Sequence, residues 1–139
     1  MTEISFTDIP DDEGLELIEE GFESYAESRG VVCGYRDFTF VARENDRTVG
    51  LLSGHSYYKE AHVSELIVHK DYRGQDIGTK LLEAAEEHFR REGLENIELT
   101  TYAFQAPEFY KKCGFKVEYV RKSKSDEKLD KYFLVKELQ

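Results

Sequence analysis

The chain has 139 residues, of which 40% are hydrophobic and 13% aromatic. Disordered segments are poorer in both classes, and this length predicts one globular domain spanning residues 1–139. Lysine and arginine number 19 against 29 aspartate and glutamate, which gives a net charge of −10. Because nucleic-acid binding needs surplus cations to neutralise phosphates, we expect no nucleic-acid partner.

Several simple signals bear on location and partners. The first residues, Met1 to Asp8, have neither a basic stretch nor an apolar core, so we expect no signal peptide. No apolar run approaches the roughly 18 residues of a membrane helix, so we expect no membrane partner. Cys33 and Cys113 lie far apart without a C-x-x-C spacing, which predicts neither a disulfide framework nor a metal site. We therefore expect a cytoplasmic protein.

The first half of the chain predicts one helix and four strands. Ile4 to Phe6 alternates like a short strand, and acidic residues then open a helix over 11–30, which ends at a glycine. Alternating apolar residues predict strands over 37–43 and 48–58, joined by a polar turn as a hairpin. A further strand is predicted over 61–69.

In the second half of the chain, segments with helical spacing of apolar residues alternate with strand-like segments. Apolar residues at helical spacing predict a helix over 79–92, followed by a strand over 97–101. A proline in the first turn and a glycine after the last predict a short helix over 106–112. Two closing strands are predicted over 117–120 and 132–138. The fold class is therefore α/β, with a mixed, twisted central sheet of about six to seven strands flanked by helices.

The stretch from Leu66 to Leu82 carries the clearest chemical signal. It reads as a buried strand, a loop containing Gly74 and Gly78, and an amphipathic helix. A helix that begins after such a loop presents free backbone N–H groups to an anion. The spacing excludes a Walker A loop, because Thr79 precedes Lys80, and it excludes the G-x-G-x-x-G dinucleotide fingerprint.

Two motifs in this order resemble those of the GNAT N-acetyltransferase superfamily. Residues 73–78, Arg-Gly-Gln-Asp-Ile-Gly, resemble its [QR]-x-x-G-x-[GA] motif, and residues 106–115 resemble its A-x-x-F-Y-x-K-x-G-F motif. The resemblance extends to the element order from Phe6 to Leu138. It implies the GNAT fold, acetyl-CoA as cosubstrate, and transfer of the acetyl group to a primary amine by direct attack in a ternary complex.

The resemblance also implies a cofactor site. In this family the strand before the first motif contacts the pantetheine arm, and the motif itself holds the pyrophosphate. The residues implied here are Leu66, Ile67, Val68, Arg73, Gly74, Gln75, Asp76, Ile77, Gly78 and Thr79.

Catalytic roles follow in the same way. By resemblance Tyr110 protonates the departing CoA thiolate, which a phenol with a pKa near 10 can do at neutral pH. The base that takes a proton from the acceptor amine is Glu65 or His62, with His55 on the preceding strand as a third candidate. Because Glu65 and His62 are three residues apart, we expect them on opposite faces of their strand.

The chain departs from the family pattern at two positions. The first glycine of the first motif is Asp76 here, and Ala103 stands where the family often has asparagine. A carboxylate beside a pyrophosphate is unfavourable unless it points away or caps the helix. These departures support an alternative function, a non-catalytic acyl-CoA-binding or regulatory module on the same fold.

The acceptor partner is the least specified feature. The predicted first helix carries several glutamates, which favour a cationic amine, either a small molecule or a lysine-rich peptide. By family resemblance a homodimer is expected.

Overall fold

A computed structural model describes all residues, 1–139, and divides the chain into two units, 1–34 and 35–139. The first unit contains one helix, α1, over Asp12–Ser28. The side chain of Asp11 caps it by accepting a hydrogen bond of 2.8 Å from the Gly14 N–H. Gly30 follows in the left-handed conformation at φ +74°, so the predicted helix and its glycine stop are confirmed.

The predicted strand at Ile4 to Phe6 is wrong. These residues form no regular structure, and the side chains of Ile4 and Phe6 are almost fully exposed. Alternation over three residues produces a strand only where a neighbouring strand accepts its hydrogen bonds, and residues 1–10 pair with none. Five apolar residues of α1 follow helical spacing, and among them only Ala26 is buried. The other four are more than half exposed: Leu15, Ile18, Phe22 and Tyr25.

The second unit contains the remaining elements at the predicted places. In chain order they are β1 (Arg36–Glu44), β2 (Arg47–Tyr57), β3 (Glu60–Val68), α2 (Ile77–Arg91), β4 (Asn96–Tyr102), α3 (Pro107–Lys112), β5 (Lys116–Arg121) and β6 (Lys131–Glu137). Short 3₁₀ turns lie at Lys70–Tyr72 and Glu127–Leu129.

One six-stranded sheet organises this unit, in the order β1-β2-β3-β4-β6-β5. All neighbouring pairs are antiparallel except β3 with β4, which are parallel. The connection between these two strands contains α2, as a parallel pair requires a crossover. The prediction of a mixed α/β fold with six to seven strands and flanking helices is confirmed.

The core lies between the sheet and α2. The predicted apolar stripe of this helix is buried, and the ring of Phe89 contacts that of Phe38 on β1 with 4.7 Å between centroids. Gly50 on β2 permits close approach at the start of α2, because a Cβ there would lie 2.9 Å from Ile77 Cγ2. None of the helices has the length and apolarity needed to cross a membrane.

Candidate active site

A cleft lies beyond the last pair of β3 with β4, and it is bounded by the end of β3, the N-terminus of α2, and α3. The parallel ladder runs from Glu60 with Asn96 to Val63 with Leu99, and both strands continue beyond it unpaired with each other. The cleft has a volume of about 470 Å³, within the usual range of small-molecule sites. Its lining residues are Leu66, Ile67, Val68, Tyr72, Arg73, Gly74, Asp76, Ile77, Gly78, Thr79, Ala106, Phe109 and Tyr110.

The N-terminus of α2 forms one wall of this cleft. Gly74 and Asp76 both adopt the left-handed conformation, with φ of +81° and +62°, and this turns the loop directly into the helix. The Asp76 side chain makes no capping hydrogen bond. The first N–H groups of α2 therefore face the cleft without a side-chain acceptor, and the helix dipole favours an anion there. Arg73 adds positive charge, and its Nε donates to the Val68 carbonyl over 3.3 Å.

The structure brings together almost all of the predicted cofactor residues. Each of the ten lines the cleft except Gln75. Of the other four lining residues, Tyr110 is a predicted catalytic residue, whereas Tyr72, Ala106 and Phe109 have no role predicted from the sequence. The second motif contains Ala106 and Phe109, so the signal for them was present but was used only for Tyr110.

Tyr110 lies on α3 and also lines the cleft. Only 9% of it is exposed, and its ring packs edge-on against Phe109 and Phe115. Burial raises the pKa of Tyr110 above its ordinary value of 10.0, and the nearby Cys113 adds to this effect. The phenol is therefore protonated at neutral pH and able to donate a proton.

An ion pair holds the end of α3. Lys136 Nζ on β6 donates to the Cys113 carbonyl over 2.7 Å and pairs with Glu86 Oε1 of α2 at 3.0 Å. Glu86 is 7% exposed, so this pair is largely removed from water. It fixes α3, and with it Tyr110, against α2 and β6.

The three base candidates share one face of the sheet, contrary to the prediction for Glu65 and His62. Ser53 pairs with Glu65, but its neighbour Gly54 pairs with Val63, so Ser64 is an extra residue on β3. This β-bulge reverses the alternation, and both side chains point to the face opposite α2. The Ser53 hydroxyl donates to Glu65 Oε1 over 3.2 Å. The rings of His55 and His62 lie 5.1 Å apart on the same face.

His62 has a partner that sequence reasoning missed. Its Nδ1 lies 2.8 Å from Oε1 of Glu98 on β4, with 26% and 29% of the two side chains exposed. The two residues are paired in the parallel ladder although 36 positions separate them in the chain. No local pattern could reveal this contact, because it depends on the register between β3 and β4. No group of three or more His, Cys, Asp or Glu residues could hold a metal ion.

Comparison with known proteins identifies the family to which this fold and these motifs belong. The sequence model described as the acetyltransferase (GNAT) family matches residues 5–115. The chain belongs to this family. The chain shares 28% sequence identity with an acetyltransferase from Agrobacterium tumefaciens whose crystal structure is known. The two structures superpose with a TM-score of 0.81, over 98% of this chain and 99% of that one.

Two curated relatives match a shorter segment of the chain. A blasticidin-S acetyltransferase from Streptomyces morookaense is 34% identical over 80 residues, 57% of this chain and 59% of that protein. An aminoalkylphosphonate N-acetyltransferase from Salmonella typhimurium is 36% identical over 93 residues, 61% of this chain and 60% of that protein. The chain thus matches about three-fifths of the length of these relatives.

Proposed function

We propose that this GNAT protein transfers an acetyl group from acetyl-CoA to a primary amine. The observation that carries the proposal is the cleft bounded by the end of β3, the uncapped N-terminus of α2, and α3. Such a cleft suits a long ligand with an anionic pyrophosphate at one end and an apolar arm at the other.

The reaction follows from the groups around the cleft. The neutral acceptor amine attacks the thioester carbonyl carbon, and backbone N–H groups near Leu66 to Val68 stabilise the negative charge that develops on the oxygen. The C–S bond then breaks, and the CoA sulfur takes the phenolic proton of Tyr110. The attacking nitrogen, which carries an extra proton after forming its bond to carbon, releases that proton to solvent and becomes the neutral amide. Tyr110 recovers its proton from solvent. The buried phenol supports this role, because its raised pKa keeps it protonated.

The proton lost by the acceptor goes to a group on the sheet face opposite α2. Glu65 directly precedes the cleft-lining Leu66, and His62 lies on the same face one step earlier because of the bulge at Ser64. Either side chain is a suitable base for an ammonium group. The acceptor would therefore approach from this face, opposite the helix that holds the cofactor.

The acceptor class is a small-molecule or peptide amine. The net charge of −10 and the carboxylates of Glu60, Glu65 and Glu98 favour a cationic molecule.

A non-catalytic acyl-CoA-binding module is the second candidate, and Asp76 favours it. Its carboxylate lies at the start of α2 without a capping hydrogen bond, where it opposes an approaching phosphate. A module of this kind would bind acetyl-CoA without turnover.

A CoA-release assay with a thiol reagent separates these functions. The panel contains a monoamine, a polyamine, an aminoglycoside and a lysine-rich peptide, each with acetyl-CoA. We expect amine-dependent CoA release with at least one of them, and a mass increase of one acetyl group on that amine. Tight acetyl-CoA binding without release for any amine would favour the module, and absence of binding would exclude both functions.

A further inference from the structure

A row of polar and aromatic side chains crosses the sheet on the face opposite α2. The Tyr35 ring stacks on His55 of β2 at 5.5 Å, and the His55 ring lies 5.1 Å from His62 of β3. The row ends at Glu98 of β4, whose Oε1 is 2.8 Å from His62 Nδ1. His62 is therefore held from both sides, by a ring contact on one and a hydrogen bond on the other.

The position of this pair connects it to the cleft. His62 with Glu98 is the last cross-strand pair on this face before β3 and β4 stop pairing, since the following pair, Val63 with Leu99, faces the core. The pair thus lies next to the point where the two strands part. Glu65, which precedes the cleft-lining Leu66, is the next side chain of β3 along the same face.

The chemistry of the contact determines where the imidazole proton sits. An ionised carboxylate can only accept hydrogen bonds, so His62 Nδ1 must carry the hydrogen in the contact with Glu98. The other ring nitrogen, Nε2, then keeps its lone pair while the ring is neutral. A carboxylate that fixes the tautomer of a histidine in this way also stabilises the imidazolium that forms when the ring takes up a proton.

We propose that Glu98 is a positioning residue that holds His62 in the Nδ1–H tautomer, so that Nε2 takes the proton from the acceptor ammonium. This inference rests on the proposed acetyl transfer. One N–H bond of the ammonium breaks, its electron pair stays on the nitrogen, and the neutral amine attacks the thioester. The imidazolium keeps its second N–H on Glu98 and later returns the proton to solvent.

Other carboxylates add negative charge around His62 and Glu98. Burial raises the pKa of Glu60, and the charges of Glu98, Glu118 and Glu95 raise it further, whereas His62 lowers it. These effects show that His62 and the four glutamates share one electrostatic neighbourhood. Their negative charges favour the approach of a cationic acceptor amine to His62.

The first test reads the tautomer without any acceptor. The ¹⁵N chemical shifts of the His62 ring, assigned with His62→Gln, distinguish a protonated from a bare ring nitrogen. We expect Nδ1–H in the wild type, the same tautomer in Glu98→Gln, whose amide oxygen still accepts, and its loss in Glu98→Ala. Glu118→Ala removes a neighbouring negative charge but no contact with His62, so it should leave the tautomer unchanged. An Nε2–H tautomer in the wild type, or no change in Glu98→Ala, would overturn the proposal.

The second test uses an amine identified by the CoA-release assay. His62→Gln should lower kcat by about 10²–10⁴-fold, the range for a lost acid or base, with the acetyl-CoA dissociation constant unchanged. Glu98→Ala should lower kcat less than His62→Gln does, and Glu98→Gln should recover part of the loss.

Full activity of His62→Gln together with an inactive Glu65→Gln would overturn the proposal in favour of Glu65. If the wild type acetylates no amine, the proposed function and the base role fail together. The NMR result then still decides the tautomer assignment.

Discussion

Asp76 begins α2 from a left-handed backbone conformation with φ of +62°. Few residues other than glycine adopt this region readily, and aspartate is among them. The family motif has glycine here, so the chain keeps the backbone geometry of the motif while adding a negative charge at the wall of the cleft.

Replacing this charge should strengthen acetyl-CoA binding. Exposed charge pairs are worth about 0.2–1 kcal/mol, so Asp76→Gly should lower the dissociation constant by roughly 1.4-fold to fivefold. Asp76→Asn tolerates the same conformation and removes only the charge, so it should have most of the effect. Isothermal titration calorimetry measures both. Equal or weaker affinity in both variants would mean that the carboxylate points away from the phosphates.

Tyr110 combines packing with chemistry, and Tyr110→Phe separates the two. The substitution keeps the ring between Phe109 and Phe115 but removes the proton donor. We expect kcat to fall by about 10²–10⁴-fold, with little change in stability or in acetyl-CoA affinity. A stable and fully active variant would show that the thiolate leaves without Tyr110. An unstable variant with normal turnover per folded molecule would make the tyrosine purely structural.

The buried phenol of Tyr110 also makes the stability of the fold depend on pH in the alkaline range. Burial raises the pKa of Tyr110 above 10.0 and that of Cys113 above 9.0, so the folded state holds both protons more tightly than the unfolded state. Their contribution is complete below pH 9 to 10 and is lost as pH rises through the folded pKa values. In denaturant titrations from pH 8 to pH 11, the unfolding free energy should fall above pH 10 less steeply in Tyr110→Phe than in the wild type. Parallel curves would contradict the burial argument.

At the scale of elements, the spacing of apolar residues and the glycines and prolines at segment ends predicted the three α-helices and the six strands. In most of these segments the apolar residues recur with the period of the element that forms. The apolar stripe of α2 is an example, since all four of its residues are buried: Leu81, Leu82, Ala85 and Phe89. The two motifs likewise contain most of the residues that line the cleft. The failures have physical causes: Ile4 to Phe6 has no pairing partner, and the bulge at Ser64 reverses the face of Glu65. Glu98 was beyond prediction because only the strand register brings it to His62.

The ion pair between Lys136 and Glu86 connects β6, α2 and α3. Lys136→Met should lower the unfolding free energy by about 3–5 kcal/mol, because it leaves the Glu86 carboxylate buried without its partner. Adding Glu86→Gln to it should recover part of the loss. Urea denaturation of the single and double variants measures this coupling. A loss of unfolding free energy below about 1 kcal/mol in Lys136→Met would mean that water hydrates the Glu86 carboxylate in place of Lys136.

At the scale of the whole molecule, a chain of net charge −10 is proposed to bind a strongly anionic cofactor. In this proposal the attraction for the anion is local, because it comes from the N-terminus of α2 and from Arg73 at the wall of the cleft. The glycines of the helices offer a matched pair of probes. Gly78 lines the cleft, with an added Cβ meeting Phe109 Cζ at 3.2 Å, whereas Gly21 on α1 has open space around it.

Thermal unfolding with increasing acetyl-CoA tests the central claim most directly. A ligand at 100 times its dissociation constant stabilises the folded state by about 2.7 kcal/mol, so the wild type should show a clear rise in Tm. Gly21→Glu and Gly78→Glu add the same charge, but only the second places it in the cleft. We expect the rise to persist in Gly21→Glu and to be lost in Gly78→Glu. No rise in the wild type at millimolar acetyl-CoA, or an undiminished rise in Gly78→Glu, would contradict the assignment of this cleft as the acetyl-CoA site.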